Sequence, residues 1–412
     1  MNNRPHLAIA TPGFSIGGGV PRVAQFLRDV GRGNGFDVTI IDLATSKRDS
    51  SSSRLLQPRS LLRGPRLRPD LHEQNLWRAG CHLAELEPSR YVQTSALRRY
   101  LSKFEVVQVV AGTPAWALAV RGIQAPVALQ VATTTKWERA SRDATGGLIN
   151  RRYRRAMTEL IDHLDALGAR VPDATFAENR RMLSWMHDAA RSDSSVTLIP
   201  PGIDTDLFSP KDGPWDPGRP LITVGRMGDE RKGLERLLHS YIHLTRNVAG
   251  VPKLRIVGRG SPTTRAQRLL EVPEIAERVE IHQDATDEDL ANLLATSSVF
   301  VATPYEEGLG LAALEAMSSG LPVIVTETAG SREYVRQGKT GFLLPQVTDS
   351  LPSLLVREYE TCRNKGPILS ANARKSVLEH FSVHTTATAF VEVWRSLLRD
   401  GETSLFPGRG LN

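Results

Sequence analysis

Short apolar segments alternate with helical patterns twice along this chain of 412 residues, and this alternation constrains the fold more than any other feature. In the first half, strand patterns lie at 7–11, 38–43, 106–110, 127–131 and 197–200. In the second half they lie at 221–224, 254–257, 279–282, 299–302 and 323–325, with helical patterns at 233–246, 286–295 and 311–319. Such alternation is typical of parallel sheets with helices on both faces. We therefore predict an α/β protein with two doubly wound domains, whose ligands bind beyond the carboxyl ends of the strands in an interdomain cleft.

A connector rich in proline and glycine separates the two halves. It begins at Pro200-Pro201-Gly202 and continues through Pro210, Pro214, Pro217 and Pro220. Because these residues interrupt regular structure, we place the domain boundary here. The prediction is a first domain over residues 1–200, a second over residues 201–382, and a C-terminal helix within residues 383–412.

Composition and charge narrow the classes of function. Residues 1–200 carry 28 basic and 18 acidic side chains and the rest carry 24 and 27, for a formal net charge of +7. A basic first half without a recognition motif favours an anionic membrane or a phosphorylated substrate over nucleic acid. Two distant cysteines, Cys81 and Cys362, exclude a disulfide framework. No apolar run spans a bilayer and the first ten residues lack a signal-peptide core, so the expected location is the cytoplasm, with peripheral contact at the inner membrane face left open.

Residues 46–71 interrupt the first alternation. The stretch contains the serine run Ser50 to Ser53 and a set of basic side chains: Lys47, Arg48, Arg54, Arg59, Arg63, Arg66 and Arg68. Because the stretch is long, polar and without periodicity, we interpret it as a mobile, solvated excursion from the core.

The segment 303–344 is the most informative for function. Its helix, Leu311 to Met317, is apolar on every side and is therefore expected to be buried, with Glu315 in its middle. A buried carboxylate needs hydrogen-bond donors, either from the protein or from the hydroxyls of a ligand. Glu307 lies in the preceding loop and is followed by Gly308-Leu309-Gly310, where a ligand can approach the backbone and the helix N-terminus. The pattern suits a ligand with several hydroxyls, such as a nucleotide sugar.

The sequence of the segment 303–344 resembles that of a known family of enzymes. The sequence EGLGLAALEAMSSGLPVIVT, which begins at Glu307, resembles the E-x7-E signature of the retaining glycosyltransferases of family 4, which have the GT-B fold. The continuations Ala329 to Glu333 and Gly338 to Phe342, and the connector text PPGIDTDLFSP, resemble the same family. The resemblance covers nearly all of the second half, whereas in the first half only the strand–glycine-loop–helix opening carries it.

The resemblance implies roles for individual residues. Arg226 and Lys232 hold the diphosphate of the donor, Glu315 binds the ribose hydroxyls, and Glu307 contacts the transferred sugar with the help of Gly308, Leu309 and Gly310. Two fixed cations suit this task because, without a metal, they neutralise the charge on the leaving group. Gly258 and Gln283, after the strands at 254–257 and 279–282, are expected to flank the nucleobase.

The first half contributes a glycine loop and lacks one expected residue. Gly17-Gly18-Gly19 lie between strand and helix, where their amides suit a phosphate or sugar, a flexible loop being the alternative. Asp42 near the end of the second strand leaves dinucleotide binding open. Many family members carry a histidine after a middle strand, but this chain has Gln130 and three threonines there. Either Gln130 or a threonine takes its role, or the position is unused. The family also predicts that the C-terminal helix, about His384 to Arg399, packs back on the first domain.

Other candidate sites are weaker. Asp204-Thr205-Asp206 resembles a metal-binding D-x-D but lies in the connector, where aspartates form turns. A basic cluster with Leu148, Ile149 and Tyr153 nearby suits either a solvated helix face or an anionic lipid. The cluster consists of Arg139, Arg142, Arg151, Arg152, Arg154 and Arg155.

The sequence thus predicts a metal-independent retaining glycosyltransferase without a cofactor, which moves a sugar from a nucleoside-diphosphate sugar to an acceptor hydroxyl. The expected partners are the donor and a carbohydrate, lipid-linked or small-molecule acceptor. A nucleotide-sugar epimerase or isomerase on the same fold, and a non-catalytic nucleotide-sugar-binding protein, remain open.

Overall fold

The computed structural model describes residues 4–47, 49–143, 147–211, 213–347 and 349–404. Within these ranges the chain divides into two units. The first contains residues 4–139, 147–201 and 386–404, and the second contains residues 202–385 together with 140–143. Arg48, the side chain of Arg142 and the end of the predicted third segment, 405–412, lie outside the described residues.

The described part of the first unit is built on one sheet of eight strands. The strands are β1 His6–Pro12, β2 Asp37–Leu43, β3 Leu67–Pro69, β4 Leu76–Ala79, β5 Val106–Ala111, β6 Val127–Val131, β7 Ala174–Ala177 and β8 Ser195–Leu198. Their order is β3-β4-β2-β1-β5-β6-β7-β8, and all neighbours are parallel except β3 and β4. The central strands β5 and β6 are buried at every position, as parallel strands covered on both faces must be.

Helices cover both faces of this sheet. They are α1 Gly19–Gly33, α2 Pro58–Arg63, α3 Ser95–Leu101, α4 Thr135–Asp143, α5 Leu148–Gly168 and α6 Arg180–Ala189. The last helix, α13 Val383–Ser404, belongs to this unit from residue 386 onward. Its Trp394 is fully buried, donates a 2.9 Å hydrogen bond from Nε1 to Gln108 Oε1 and packs edge-on against Phe36. The first unit is therefore completed by the end of the chain.

The interpretation of residues 46–71 as a solvated excursion from the core is wrong for the serine run and for β3, although residues 55–59 and 61–63 are exposed. Ser51, Ser52 and Ser53 are each at least 95% buried. Ser53 N–H donates to Cys81 O at 3.0 Å, and Arg66 N–H donates to Ser51 O at 2.8 Å. Because β3 pairs with β4, the stretch forms the edge of the sheet. Ser52 and Ser53 fit inside because their hydroxyls are hydrogen-bonded: that of Ser52 donates to Asp49 Oδ1, and both accept backbone N–H groups.

The described part of the second unit has a parallel sheet of six strands. The strands are β9 Leu221–Val224, β10 Leu254–Gly258, β11 Val279–Gln283, β12 Val299–Ala302, β13 Val323–Thr326 and β14 Gly341–Leu344, in the order β11-β10-β9-β12-β13-β14. The helices are α7 Leu234–Asn247, α8 Thr264–Leu270, α9 Asp287–Ala295, α10 Leu311–Ser318, α11 Ser331–Tyr334 and α12 Leu351–His380. Thr286 and Asp289 cap α9 reciprocally. The predicted α/β class with two doubly wound sheets is confirmed.

Candidate functional site

The carboxyl edge of the second sheet is a set of loops tied together through their backbones. Gly225, directly after β9, donates its N–H to Val257 O at 2.9 Å. A Cβ at Gly258 would lie 1.8 Å from the Gly225 carbonyl oxygen, so this position requires a glycine. Asp284 N–H donates to Gly258 O at 3.1 Å, and Gln283 Nε2 donates to Gly260 O at 3.2 Å. The loops that follow β9, β10 and β11 therefore adjoin, with Gln283 exposed at the outer one.

Lys232 and Glu307, 75 residues apart in sequence, form an ion pair at this edge. Lys232 Nζ lies 2.6 Å from Glu307 Oε2, and the two side chains are 27% and 24% exposed. They meet because β9 and β12 are parallel neighbours whose carboxyl ends lie side by side. Tyr305 N–H donates to Arg231 O at 2.8 Å, which joins the two loops directly. The pair is thus partly accessible and held by backbone contacts.

Arg226 lies on the same loop and is more exposed. Its Nη2 is 2.8 Å from Asp229 Oδ2, and Arg231 donates to the same carboxylate. Burial alone would raise the pKa of Asp229, but the hydrogen bonds and charge of Arg231, with the charge of Arg226, hold that pKa below its ordinary value. Asp229 is therefore ionised at neutral pH and positions both guanidinium groups.

A buried arginine that the sequence analysis did not single out supports the Glu307 loop. Arg236 on α7 is 4% exposed, and its Nε donates to Thr303 O at 2.6 Å and its Nη2 to Pro304 O at 2.5 Å. Its guanidinium carbon lies 3.8 Å from the centre of the Tyr305 ring, and its Nη1 donates to Gln346 Oε1 at 3.0 Å. Burial lowers the pKa of Arg236 to about 10, so it stays charged at neutral pH. Arg236 therefore fixes the backbone just before Glu307.

The glycine loop after Glu307 packs against α11. Gly330 N–H donates to Glu307 O at 3.0 Å, and a Cβ at Gly330 would lie 2.4 Å from Leu309 O. Gly310 caps α10 with a φ of 95°, a conformation that favours glycine, and a Cβ there would lie 2.8 Å from Tyr334 Oη. Burial raises the pKa of Tyr334, and the Glu307 charge raises it further. The loop has no room for larger residues at these positions.

Glu315 is buried, whereas Gly308 and the loop before the helix are partly exposed. Glu315 lies in α10 and is 3% exposed, as the apolar pattern of this helix predicted, and its carbonyl oxygen accepts the Ser319 N–H at 2.9 Å. Gly308 is partly exposed in the loop before the helix. Glu307 and Glu315 are therefore an accessible and a buried carboxylate on one loop–helix unit.

In the first unit, Gly17, Gly18 and Gly19 form the turn into α1. Gly17 and Gly18 have φ values of 79° and 119°, which favour glycine, and a Cβ at Gly18 or Gly19 would meet no atom within 4 Å. Backbone conformation therefore explains the glycine at Gly18, and the surrounding space is open. Asp42 accepts the N–H of Phe14 at 2.8 Å and the hydroxyl of Ser15 at 2.8 Å. It anchors this loop, a structural role that accounts for it without a dinucleotide.

Gln130 does not replace the missing histidine. It is fully buried in β6, where its Nε2 donates to Glu178 Oε1 at 3.2 Å and to Ile199 O at 3.3 Å. An amide enclosed in the sheet cannot reach a ligand at the loops, so the alternative in which Gln130 takes the role of the histidine is wrong.

The described residues contain no group of three His, Cys, Asp or Glu side chains that could hold a metal ion. Asp204 of the D-x-D text accepts the N–H of Asp206 at 3.1 Å and that of Leu207 at 3.0 Å. It therefore forms a turn in the connector.

One known family matches the part of the chain that carries these loops. Residues 208–376 match the model of the family described as glycosyl transferases group 1. This part of the chain is a glycosyl transferases group 1 domain. The matched residues include Arg226, Lys232, Glu307 and Glu315.

The chain is similar to curated relatives over part of their length. It is 27% identical over 230 residues to "MMP alpha-(1->4)-mannosyltransferase" of Mycolicibacterium hassiacum, which is 55% of each chain. It is 31% identical over 171 residues, 36% of each chain, to "D-inositol 3-phosphate glycosyltransferase" of Streptomyces bingchenggensis. The chain spans about half or less of the length of these relatives.

Solved structures resemble the whole fold. Sucrose-phosphate synthase from Thermosynechococcus elongatus has a TM-score of 0.70 at 19% identity, covering 96% of this chain and 100% of that one. Anabaena HepE in complex with UDP-glucose has a TM-score of 0.66 at 13% identity, covering 95% and 99%. The chain therefore has the GT-B fold, as predicted.

Proposed function

We propose that this protein is a retaining glycosyltransferase that moves a sugar from a nucleoside-diphosphate sugar to an acceptor hydroxyl without a metal ion. The Lys232–Glu307 pair, 2.6 Å apart at the carboxyl edge of a group 1 domain, is the observation that carries the proposal. Parallel sheets bind ligands at this edge, and the pair offers a cation for phosphate beside an anion for sugar hydroxyls.

The donor binds in the second unit. Lys232 and Arg226 bind its diphosphate, and Glu315 binds its ribose hydroxyls. Glu307 and the amides of the 308–310 loop bind its sugar. Gly258 and Gln283 lie beside the base. When the donor binds, Lys232 leaves Glu307 and binds phosphate instead. Glu307 then binds the sugar, so the two members of the ion pair contact different parts of the donor.

Transfer follows from the charges at this edge. As the bond to the diphosphate breaks, negative charge grows on the leaving oxygen, and Lys232 and Arg226 stabilise it. The acceptor hydroxyl attacks from the same face and gives its proton to the leaving phosphate, so the anomeric configuration is kept. No protein base is needed. Acceptor binding is assigned to the first unit, at the turn of Gly17, Gly18 and Gly19, where the space beside Gly18 and Gly19 is open to a phosphate or sugar.

Peripheral contact with an anionic membrane is part of the proposal. At the start of α5, Leu148, Ile149 and Tyr153 are 69%, 85% and 67% exposed. Arg151 and Arg152 lie on the same helical segment, and apolar side chains beside basic ones suit an anionic lipid surface. Among the described helices, none is long and apolar enough to cross a membrane.

The test is product analysis with a panel of nucleoside-diphosphate sugars and acceptors in the presence of EDTA. The proposal expects a glycoside with the anomeric configuration of the donor, seen by NMR, and its loss in Arg226→Ala and in Glu307→Ala with unchanged thermal midpoints. Wild-type turnover in either variant would contradict the site. Donor consumed without an acceptor to give an isomeric sugar nucleotide would favour the epimerase alternative instead.

A further inference from the structure

A cavity of about 630 Å³ lies in the first unit, between the serine run, α2 and the segment that leads into β3. Four arginines line it: Arg59, Arg63, Arg66 and Arg68. Ser50, Ser51, Ser52 and Ser60 also belong to its wall, where the Ser60 hydroxyl donates to Gln57 O at 2.8 Å. The volume is that of a small-molecule site, and the guanidinium groups are hydrogen-bond donors.

The four arginines of this cavity have no carboxylate partner in the described part of the protein. No Asp or Glu belongs to its wall, and none of the four arginines forms an ion pair with a carboxylate of the described residues. The nearby acids bind backbone N–H groups and a hydroxyl rather than the arginines. Asp49 accepts the Ser51 N–H and the Ser52 hydroxyl, both at 2.9 Å, and Glu85 accepts the Leu55 N–H at 3.0 Å. Four guanidinium groups in one cavity repel one another unless an anion joins them.

The walls of the cavity are built rather than loose. Arg66 N–H donates to Ser51 O at 2.8 Å and Gly80 N–H donates to Arg66 O at 2.9 Å, so the arginine segment is bonded on both sides. A Cβ at Gly80 would lie 2.1 Å from Ser51 O, which shows how closely β4 approaches the serine run. The backbone that carries Arg66 is therefore fixed before a ligand binds, which lowers the entropy cost of binding there.

We propose that this cavity binds the phosphate groups of a phosphorylated ligand, at a site built from the first unit alone. Guanidinium groups match phosphate oxygens in pairs, and several of them suit a diphosphate or a dianionic monoester. Leu56 and Leu62 are 85% and 90% exposed beside the arginines. The same chemistry therefore serves a free phosphorylated metabolite or the phosphate of a lipid, and the experiment separates the two.

The test titrates the full chain with inorganic pyrophosphate by calorimetry. An Arg63→Gln/Arg66→Gln variant is expected to bind at least about tenfold more weakly, because two charge-assisted contacts are lost. The matched control, Arg99→Gln/Arg121→Gln, removes two exposed arginines of the same unit and is expected to bind as wild type does. An Arg59→Gln/Arg68→Gln variant repeats the test at two exposed positions if the first pair lowers the thermal midpoint.

A Lys232→Met variant distinguishes this proposal from the proposed donor site. The cavity predicts that pyrophosphate binding lost in the Arg63/Arg66 variant survives in Lys232→Met. Binding unchanged in both cavity variants overturns the proposal and leaves the donor site untouched. Two further probes distinguish a free metabolite from a lipid. Equal affinity for glycerol 3-phosphate and dihexanoyl phosphatidate identifies a free metabolite. Phosphatidate binding about tenfold tighter identifies a lipid.

Discussion

At the scale of single residues, the meeting of Lys232 and Glu307 follows from the ends of two predicted strands. Both residues follow strands that the apolar pattern located, 221–224 and 299–302, and parallel neighbours bring their ends together. Arg236 escaped prediction because an arginine on an amphipathic helix is ordinarily exposed. Only the tertiary structure shows that it turns inward to the Thr303 and Pro304 carbonyls.

Asp165 gives a residue-scale prediction about pH. It is fully buried in α5 and accepts the N–H of Ala115 at 2.9 Å and of Thr135 at 2.7 Å, yet burial outweighs these bonds and raises its pKa to about 6. The folded state therefore holds the proton more tightly than the unfolded state, so stability falls as pH rises from about 4 to about 6. We expect wild type to lose about 2–3 kcal/mol of unfolding free energy relative to Asp165→Asn over this range.

Urea denaturation of both proteins between pH 4 and pH 7 measures this difference. Glu159 on the same helix, which is exposed, provides the control Glu159→Gln. A constant difference between wild type and Asp165→Asn across the range would mean that Asp165 does not titrate there.

At the scale of elements, α7 and the loop before α10 act together. The carbonyls of Thr303 and Pro304 accept from Arg236 in a buried setting, and Thr303 Oγ1 donates to Gly233 O at 2.8 Å. The close packing of Gly233 against Thr303, where a Cβ would lie 2.0 Å from the carbonyl oxygen, belongs to the same contact. The loop that carries Glu307 is thus held by the helix that follows Lys232.

Removal of Arg236 tests this coupling. Arg236→Leu leaves buried carbonyls without donors, and we expect a loss of about 3 kcal/mol or more in unfolding free energy. Arg236→Lys keeps one charged donor and is expected to recover part of that loss and part of the transfer rate. Chemical denaturation and steady-state kinetics measure both quantities.

Arg246→Ala on the same helix is the control, because its pair with Glu274 is exposed and contributes little to stability. A cost for Arg236→Leu no larger than that of the control would contradict the role of Arg236 as a support for the loop.

The excursion at 46–71 shows why elements can be missed. Its serines and arginines lack the period of a strand, so the sequence favoured a loop, whereas β3 is a three-residue edge strand that follows a buried serine run. Hydrogen bonds to residues 80 and 81 stabilise it, and such distant partners leave no local pattern. The long helix α12 and the strand β14 were also absent from the predicted elements.

At the scale of the whole molecule, the first unit is assembled from both ends of the chain. Residues from 386 onward belong to the same unit as the strand that begins at His6. Trp394, Phe390 and Phe36 are buried together, with Phe36 and Trp394 rings 5.6 Å apart. The fold class and most strands followed from local periodicity, whereas this return of the chain was predicted only through the family resemblance.

Trp394→Ala tests the contribution of the last helix. The change removes a fully buried indole and its hydrogen bond to Gln108, and we expect a loss of about 3–5 kcal/mol in the unfolding free energy of the first unit. Glu392→Ala, an exposed change on the same helix, is the control and is expected to cost under about 0.5 kcal/mol. Equal stability of the two variants, measured by urea denaturation, would show that α13 adds nothing to this unit.

The central claim concerns the carboxyl edge of the second sheet, and calorimetric titration of nucleoside diphosphates tests it most directly. Lys232→Met and Arg226→Gln are compared with Lys375→Met, an exposed lysine on α12 that removes the same charge. The account predicts that each site variant binds the preferred nucleoside diphosphate at least about tenfold more weakly, while the control binds as wild type does. Equal affinity in all four proteins, with folding intact, would contradict it.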